Sequence, residues 1–129
     1  MSFPYKNRFA RYARRVPGER NRVEAAYEAH LQALCQSGEI CGFEFEGMKL
    51  RMADKTWWTP DFVVMTADGF LELHDTKGTT TVTRASGEKE KAPWIEDDAR
   101  VKMKVIAELW PFKVFAVFKT AEGWIRQPF

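Results

Sequence analysis

Apolar residues recur along this chain in two helical and several strand-like patterns. At about 100° per residue, Val23, Tyr27, His30, Leu31 and Leu34 fall on one face, which predicts an amphipathic helix over residues 21–37. Asn21 is a good N-cap residue and Gly38 a natural stop. Residues 43–46 and 49–52 flank Gly47 and read as a bent strand or a tight hairpin. Residues 58–66 and 70–76 read as strands joined through Ala67-Asp68-Gly69, a good hairpin turn. Residues 78–92 are polar, with three consecutive threonines, Ser86-Gly87 and Glu88-Lys89-Glu90-Lys91, and are expected to form a mobile loop. A second helix is expected over 93–109, with proline early and Pro111 past its end. Ile95, Ala99, Ile106 and Leu109 form its expected apolar face; Lys102 falls among them, whereas Arg100 and Lys104 fall outside. Residues 112–119 and 123–127 read as closing strands. The order helix, strands, helix, strands predicts an α/β fold, a mixed central sheet flanked by helices.

Composition bounds this picture. A chain of 129 residues, 45% hydrophobic and 14% aromatic, is the size of one domain and can bury a core, which excludes global disorder. It contains no apolar run of about 18 residues and begins with no apolar signal segment, so the expected location is the cytoplasm. Cys35 and Cys41 are too few for a disulfide framework and form no Cys-x-x-Cys pair, which fits reduced thiols. His30 and His74 are too isolated to form a zinc site.

The formal net charge of +2 hides a division. Lys6, Arg8, Arg11, Arg14, Arg15, Arg20 and Arg22 stand against Glu19 in the first 22 residues, leaving +6 there and −4 on the rest. Residues 1–20 are therefore expected to be a basic arm, with Pro17-Gly18 as a breaker, attached to a single domain over 21–129. Such an arm calls for an acidic partner, most commonly nucleic acid, and Phe3, Tyr5, Phe9 and Tyr12 within it can stack on bases.

The chemistry concentrates in Thr59-Pro60-Asp61-Phe62-Val63-Val64 and Leu71-Glu72-Leu73-His74-Asp75-Thr76-Lys77-Gly78. Alternation along a strand puts Asp75 and Lys77 on one face with Leu71 and Leu73, and Asp61 on one face with Val63 and Met65. A three-residue turn at 67–69 sets Thr66 opposite Phe70; five residues outward on each strand, Asp61 meets Asp75. A two-residue turn at Asp68-Gly69 would put them on opposite faces. Carboxylates paired across strands repel unless a cation lies between them, and oxygen donors favour a hard ion such as Mg²⁺ or Mn²⁺. Lys77, two residues past Asp75, can orient an attacking water or offset charge on a phosphorane-like transition state. Glu24 lies near the apolar edge of the first helix, closer than Glu28, and is the better inward carboxylate.

Pro60-Asp61 followed by Asp75-Thr76-Lys77 resembles the PD-(D/E)xK nuclease superfamily, and the order of elements over about 21–119 matches its αβββαβ restriction-endonuclease-like core. More narrowly, residues 21–40, Thr59-Pro60-Asp61-Phe62 and Asp98-Ala99-Arg100-Val101-Lys102-Met103-Lys104 look like small phage-encoded endonucleases related to Holliday-junction resolvases. The resemblance implies Mg²⁺, with Mn²⁺ as a substitute, held by Asp61, Asp75, the Thr76 carbonyl and Glu24. It implies Lys77 as the catalytic lysine, Lys102 as a basic residue near the phosphate and 5′-phosphate products. DNA would be gripped by Arg8, Arg11, Arg14, Arg15 and Arg20 of the arm, by Arg22, Lys102 and Lys104, and by the 78–92 loop. Two alternatives stand beside this endonuclease. One is a junction resolvase, which would need a homodimer to cut two strands symmetrically. The other is a catalytically silent nucleic-acid-binding module driven by the arm.

Overall fold

The computed structural model describes residues 20–129. The arm residues Arg8, Arg11, Arg14 and Arg15, and the Pro17-Gly18 breaker, lie outside the described residues. The fold is mixed α/β. Helix α1 (Arg22–Ser37) leads into strands β1 (Ile40–Phe45), β2 (Leu50–Ala53), β3 (Thr56–Trp58), β4 (Phe62–Thr66), β5 (Leu71–Thr76), β6 (Thr79–Thr83) and β7 (Lys89–Pro93). Helix α2 (Asp97–Leu109), β8 (Lys113–Thr120) and β9 (Gly123–Pro128) complete it. The central sheet has the order β1-β4-β5-β8-β9; β5 and β8 run parallel and the other neighbours antiparallel. Among the described residues no helix is long and apolar enough to cross a membrane.

Local chemistry explains both ends of α1. The Asn21 side chain accepts the Glu24 N–H at 2.8 Å, and Glu24 accepts the Asn21 N–H at 2.9 Å, which satisfies two orphan donors reciprocally. Gly38 ends the helix at φ 82° and donates its N–H to the carbonyls of Leu34 and Cys35. Tyr27 and Leu31 are the buried stripe, packed on Phe43, Phe45, Phe62, Val64 and Val117 of one sheet face. On the other face, Met103 and Ile106 of α2 pack on Val63, Leu73, Val114 and Ala116, with Leu50 and Trp58 closing the cluster.

Several expectations need correction. The segments around Gly47 do not form a hairpin. β1 pairs with β4, while β2 pairs with β3 as a separate ribbon. Residues 58–66 are not one strand, because Pro60 cannot donate to a ladder and interrupts it between β3 and β4. Residues 78–92 are not a loop but the β6–β7 ribbon; their threonines favour extended backbone, and Arg84 and Gly87 close the turn, with Gly87 donating to the Arg84 carbonyl at 2.8 Å. That ribbon takes Pro93 as its last residue, so α2 starts at Asp97, with Asp97 and Asp98 at its positive N-terminal end. The buried face of α2 is centred on Met103 and Ile106, about one residue round from the expected face. Leu109 is consequently exposed and Lys102 only half-buried.

The β4–β5 register matches the three-residue turn. Phe62 pairs with His74, Val63 with Leu73, Val64 with Glu72 and Met65 with Leu71. Thr66 donates its N–H to the Phe70 carbonyl at 2.8 Å, and Gly69 turns the chain at φ 90°. Because a Cβ is disfavoured at that φ, Gly69→Ala is expected to cost about 1–2 kcal/mol and lower Tm by several degrees, as read by thermal unfolding.

Candidate metal and phosphate site

The last rungs of the β4–β5 ladder are made by side chains. Asp61 lies just beyond β4, and its N–H donates not to a backbone carbonyl but to Asp75 Oδ1, at 3.1 Å. In return, Thr76 donates its N–H and its hydroxyl to Asp61 Oδ2, each at 2.8 Å. The Asp61 carbonyl accepts the Glu46 N–H at 2.7 Å, which anchors the Pro60-Asp61 corner on the end of β1. Lys77 completes the row, its Nζ 2.8 Å from Asp75 Oδ2. Its N–H donates to the Val117 carbonyl at 2.9 Å, so β8 holds the lysine's backbone. Asp75 is buried at 8% exposure, and Lys77 and Asp61 are half-buried. Three of the expected residues, Asp61, Asp75 and Lys77, are thus brought together with Thr76.

The electrostatics carry a deficit of positive charge. Burial raises Asp61 from its ordinary 3.8 to about 8, and the charges of Asp75 and Glu24 push the same way against the Thr76 hydrogen bonds. Burial and Glu24 likewise raise Glu46, partly offset by Arg20. Glu46, at φ 50°, was not singled out in the sequence; the only signal there was an acidic residue before Gly47 at a strand end.

Among the described residues, the remaining expected side chains make no hydrogen bond or ion pair with Asp61 or Asp75. Glu24 acts on Asp61 through its charge, while its carboxylate caps α1. Glu28 pairs with Arg20 at 3.1 Å, and the Arg20 guanidinium lies 4.3 Å over the Phe45 ring, so Arg20 is engaged in packing α1. Arg22 and Lys104 are exposed. Lys102, half-buried on α2, makes no hydrogen bond or ion pair among the described residues, and none links it to Asp61 or Asp75. Thr76 gives its N–H and its hydroxyl to Asp61.

The chain matches no family model, no curated protein and no solved structure.

Hard oxygen donors, mutual repulsion and partial burial fit a small divalent cation between Asp61 and Asp75. Among the described residues no three His, Cys, Asp or Glu side chains converge as a complete ligand set.

The opposite face of β5 holds a second polar group, built on Glu72 and His74. Tyr27 Oη lies 2.5 Å from His74 Nδ1, His74 Nε2 lies 3.0 Å from Glu72 Oε1, and Arg126 Nη1 lies 3.1 Å from the same oxygen. Burial lowers the His74 pKa against the pull of Glu72, so the ring is neutral, accepting from Tyr27 and donating to Glu72. This chain ties α1, β5 and β9 behind Asp75.

Two outcomes are expected. In EDTA the folded protein holds a proton on Asp61 that the unfolded chain releases near pH 4, so stability falls as pH rises from about 4 to about 8. Asp61→Asn, which keeps the acceptor for Thr76, should raise Tm by several degrees at pH 8 and lose that advantage near pH 4. Tyr27→Phe, which leaves His74 Nδ1 without its donor, should cost about 1–2 kcal/mol by denaturant unfolding.

Proposed function

We propose that this chain is a metal-dependent endonuclease with a restriction-endonuclease-like core, hydrolysing phosphodiester bonds in DNA. The carrying observation is the pairing of Asp61 with Asp75 beside Lys77, in a site where burial and then the Asp75 charge disfavour ionised Asp61. The succession α1, β1, β4, β5, α2, β8 supports the same reading, since its order and mixed sheet agree with the αβββαβ pattern that the Pro60-Asp61 and Asp75-Thr76-Lys77 motifs resemble.

Asp61 and Asp75 would hold Mg²⁺, which supplies Lewis-acid stabilisation of the phosphate oxygens when bound. The chain's own residues do the rest. Asp75 fixes the Lys77 ammonium at 2.8 Å, so that its remaining N–H groups can orient a water for attack on phosphorus. The water oxygen bonds to phosphorus, the phosphorus–O3′ bond breaks, and the water's proton ends on the leaving 3′ oxygen, giving a 5′-phosphate. Lys77 also offsets the charge that develops on the pentacovalent transition state. Thr76 fixes Asp61 through two hydrogen bonds, which limits the reorganisation needed to face the cation.

The test uses linear duplex, nicked, branched and single-stranded DNA, each with Mg²⁺, Mn²⁺ or EDTA. Cleavage is expected with either metal and not in EDTA. Asp75→Ala and Lys77→Ala should each lose at least about 100-fold in rate while still binding DNA. Metal-dependent cleavage persisting in both purified variants would sink the assignment. Binding that falls steeply with salt, owes nothing to metal and never leads to cleavage would favour a silent binding module. A monomeric mass at micromolar concentration would count against a symmetric junction resolvase.

A further inference from the structure

The β6–β7 ribbon leaves the central sheet immediately beyond Lys77. It begins after Gly78 and returns at Trp94, whose N–H donates to the Gly78 carbonyl at 2.8 Å. The base of the ribbon is therefore pinned one residue from the lysine of the candidate site. Its register sorts its side chains into two chemically different faces. Thr81 opposite Lys91 and Thr83 opposite Lys89 make one face, and Lys91 Nζ lies 3.3 Å from Thr81 Oγ1. Thr80 opposite Ala92 and Val82 opposite Glu90 make the other. On that second face Arg84 takes both oxygens of Glu90 at 2.7 Å, so the acid and the base cancel each other. The lysine face is left cationic, with hydroxyl donors between its charges.

We propose that the lysine–threonine face of this ribbon binds the backbone of the DNA strand presented to Asp61 and Asp75. Trp94 then stacks on an unpaired base beside the cut, which makes the preferred substrate DNA with an unpaired stretch, such as a flap, gap or branch. The proposal rests on the nuclease reading above and names its substrate class. Two residues along one strand, the Cα atoms of Lys89 and Lys91 are separated by roughly 7 Å of extended backbone, comparable to the spacing of successive phosphates. Threonine hydroxyls are ordinary phosphate donors, and a two-stranded ribbon is slim enough to follow a groove. Trp94 is 62% exposed at the ribbon's anchored base; its bond to Gly78 continues the ladder, so alternation puts the indole on the Ala92 side, and the unpaired strand passes round the base of the ribbon to reach it. An exposed indole gains little from a base already stacked inside a perfect duplex, and about 1–3 kcal/mol from one that is free to stack.

The experiment measures binding by the full-length protein in EDTA, so that no cleavage intervenes. Two DNAs are compared, a blunt duplex and the same duplex carrying a single-stranded flap with 2-aminopurine at the junction. Lys89→Gln combined with Lys91→Gln should weaken binding to both about tenfold at moderate salt, and reduce the slope of log K against log salt by about 2. Arg84→Gln combined with Glu90→Gln, on the other face, should stay within about twofold of wild type. Trp94→Ala should lose about tenfold on the flap alone and lose the quenching of 2-aminopurine. Circular dichroism and Tm confirm that each variant is folded. The proposal is overturned by an unchanged salt slope in the lysine variant, by equal effects of the two double variants, by equal losses on both DNAs in Trp94→Ala, or by wild-type protein that binds neither DNA. Failure of the nuclease reading registers separately, as wild-type protein that binds as described yet cleaves nothing with Mg²⁺ or Mn²⁺.

Discussion

Everything distinctive about this structure depends on two carboxylates being forced together where a sheet would ordinarily place backbone hydrogen bonds. Asp61 and Asp75 exchange side-chain bonds with each other's strands, Asp61 N–H to Asp75 Oδ1 and Thr76 N–H to Asp61 Oδ2. The ladder therefore continues, but through ionisable groups, and burial, with the charge of Asp75 added, drives Asp61 up to about 8. An amide pair would accept the same two N–H groups without the charge repulsion. Tolerating such a cost is a common property of sites kept for chemistry rather than stability.

The strand β5 divides its labour by side-chain parity. Leu73, packed against α2, shares its parity with Asp75 and with Lys77 just beyond the strand, whereas Glu72, His74 and Thr76 alternate with them. Glu72 and His74 anchor the strand to Tyr27 of α1 and Arg126 of β9. Thr76 breaks this division usefully. Lying at the end of the strand, it reaches Asp61 with both its N–H and its hydroxyl, and so joins the corner to the site. Strands buried on both sides seldom carry this many polar groups, and each is satisfied here by a partner from a different element.

Local rules made much of this readable in the sequence. Asn21 and Gly38 bound α1, and the Ala67-Asp68-Gly69 turn fixed the register that brings Asp61 to Asp75, because turn length alone sets pairing in a hairpin. What escaped depended on partners far away in the chain. The pairing of β1 with β4 rather than with β2, and the network behind β5, bring together residues separated by dozens of positions, which no local pattern encodes. The β6–β7 ribbon escaped for another reason. Its threonines, lysines and glutamates are as polar as a loop, and only cross-strand pairing distinguishes the two. On α2, reading the stripe through Lys102 instead of Met103 rotated the expected face by one residue, because a period of 3.6 tolerates two neighbouring phases over a short helix.

The buried network from Tyr27 through His74 and Glu72 to Arg126 also bears on how the chain reaches its final form. Its bonds span 47 positions between Tyr27 and His74 and 54 between Glu72 and Arg126, so two long segments must close before either end is satisfied. Non-local closures of this kind are slow steps in folding. The strand bearing Asp75 and Lys77 thus gains its rear support only when the first helix and the final strand have both docked. In a partly unfolded chain the 67–69 turn still sets the β4–β5 register, but the strand lacks the rear contacts that hold Asp75 in place.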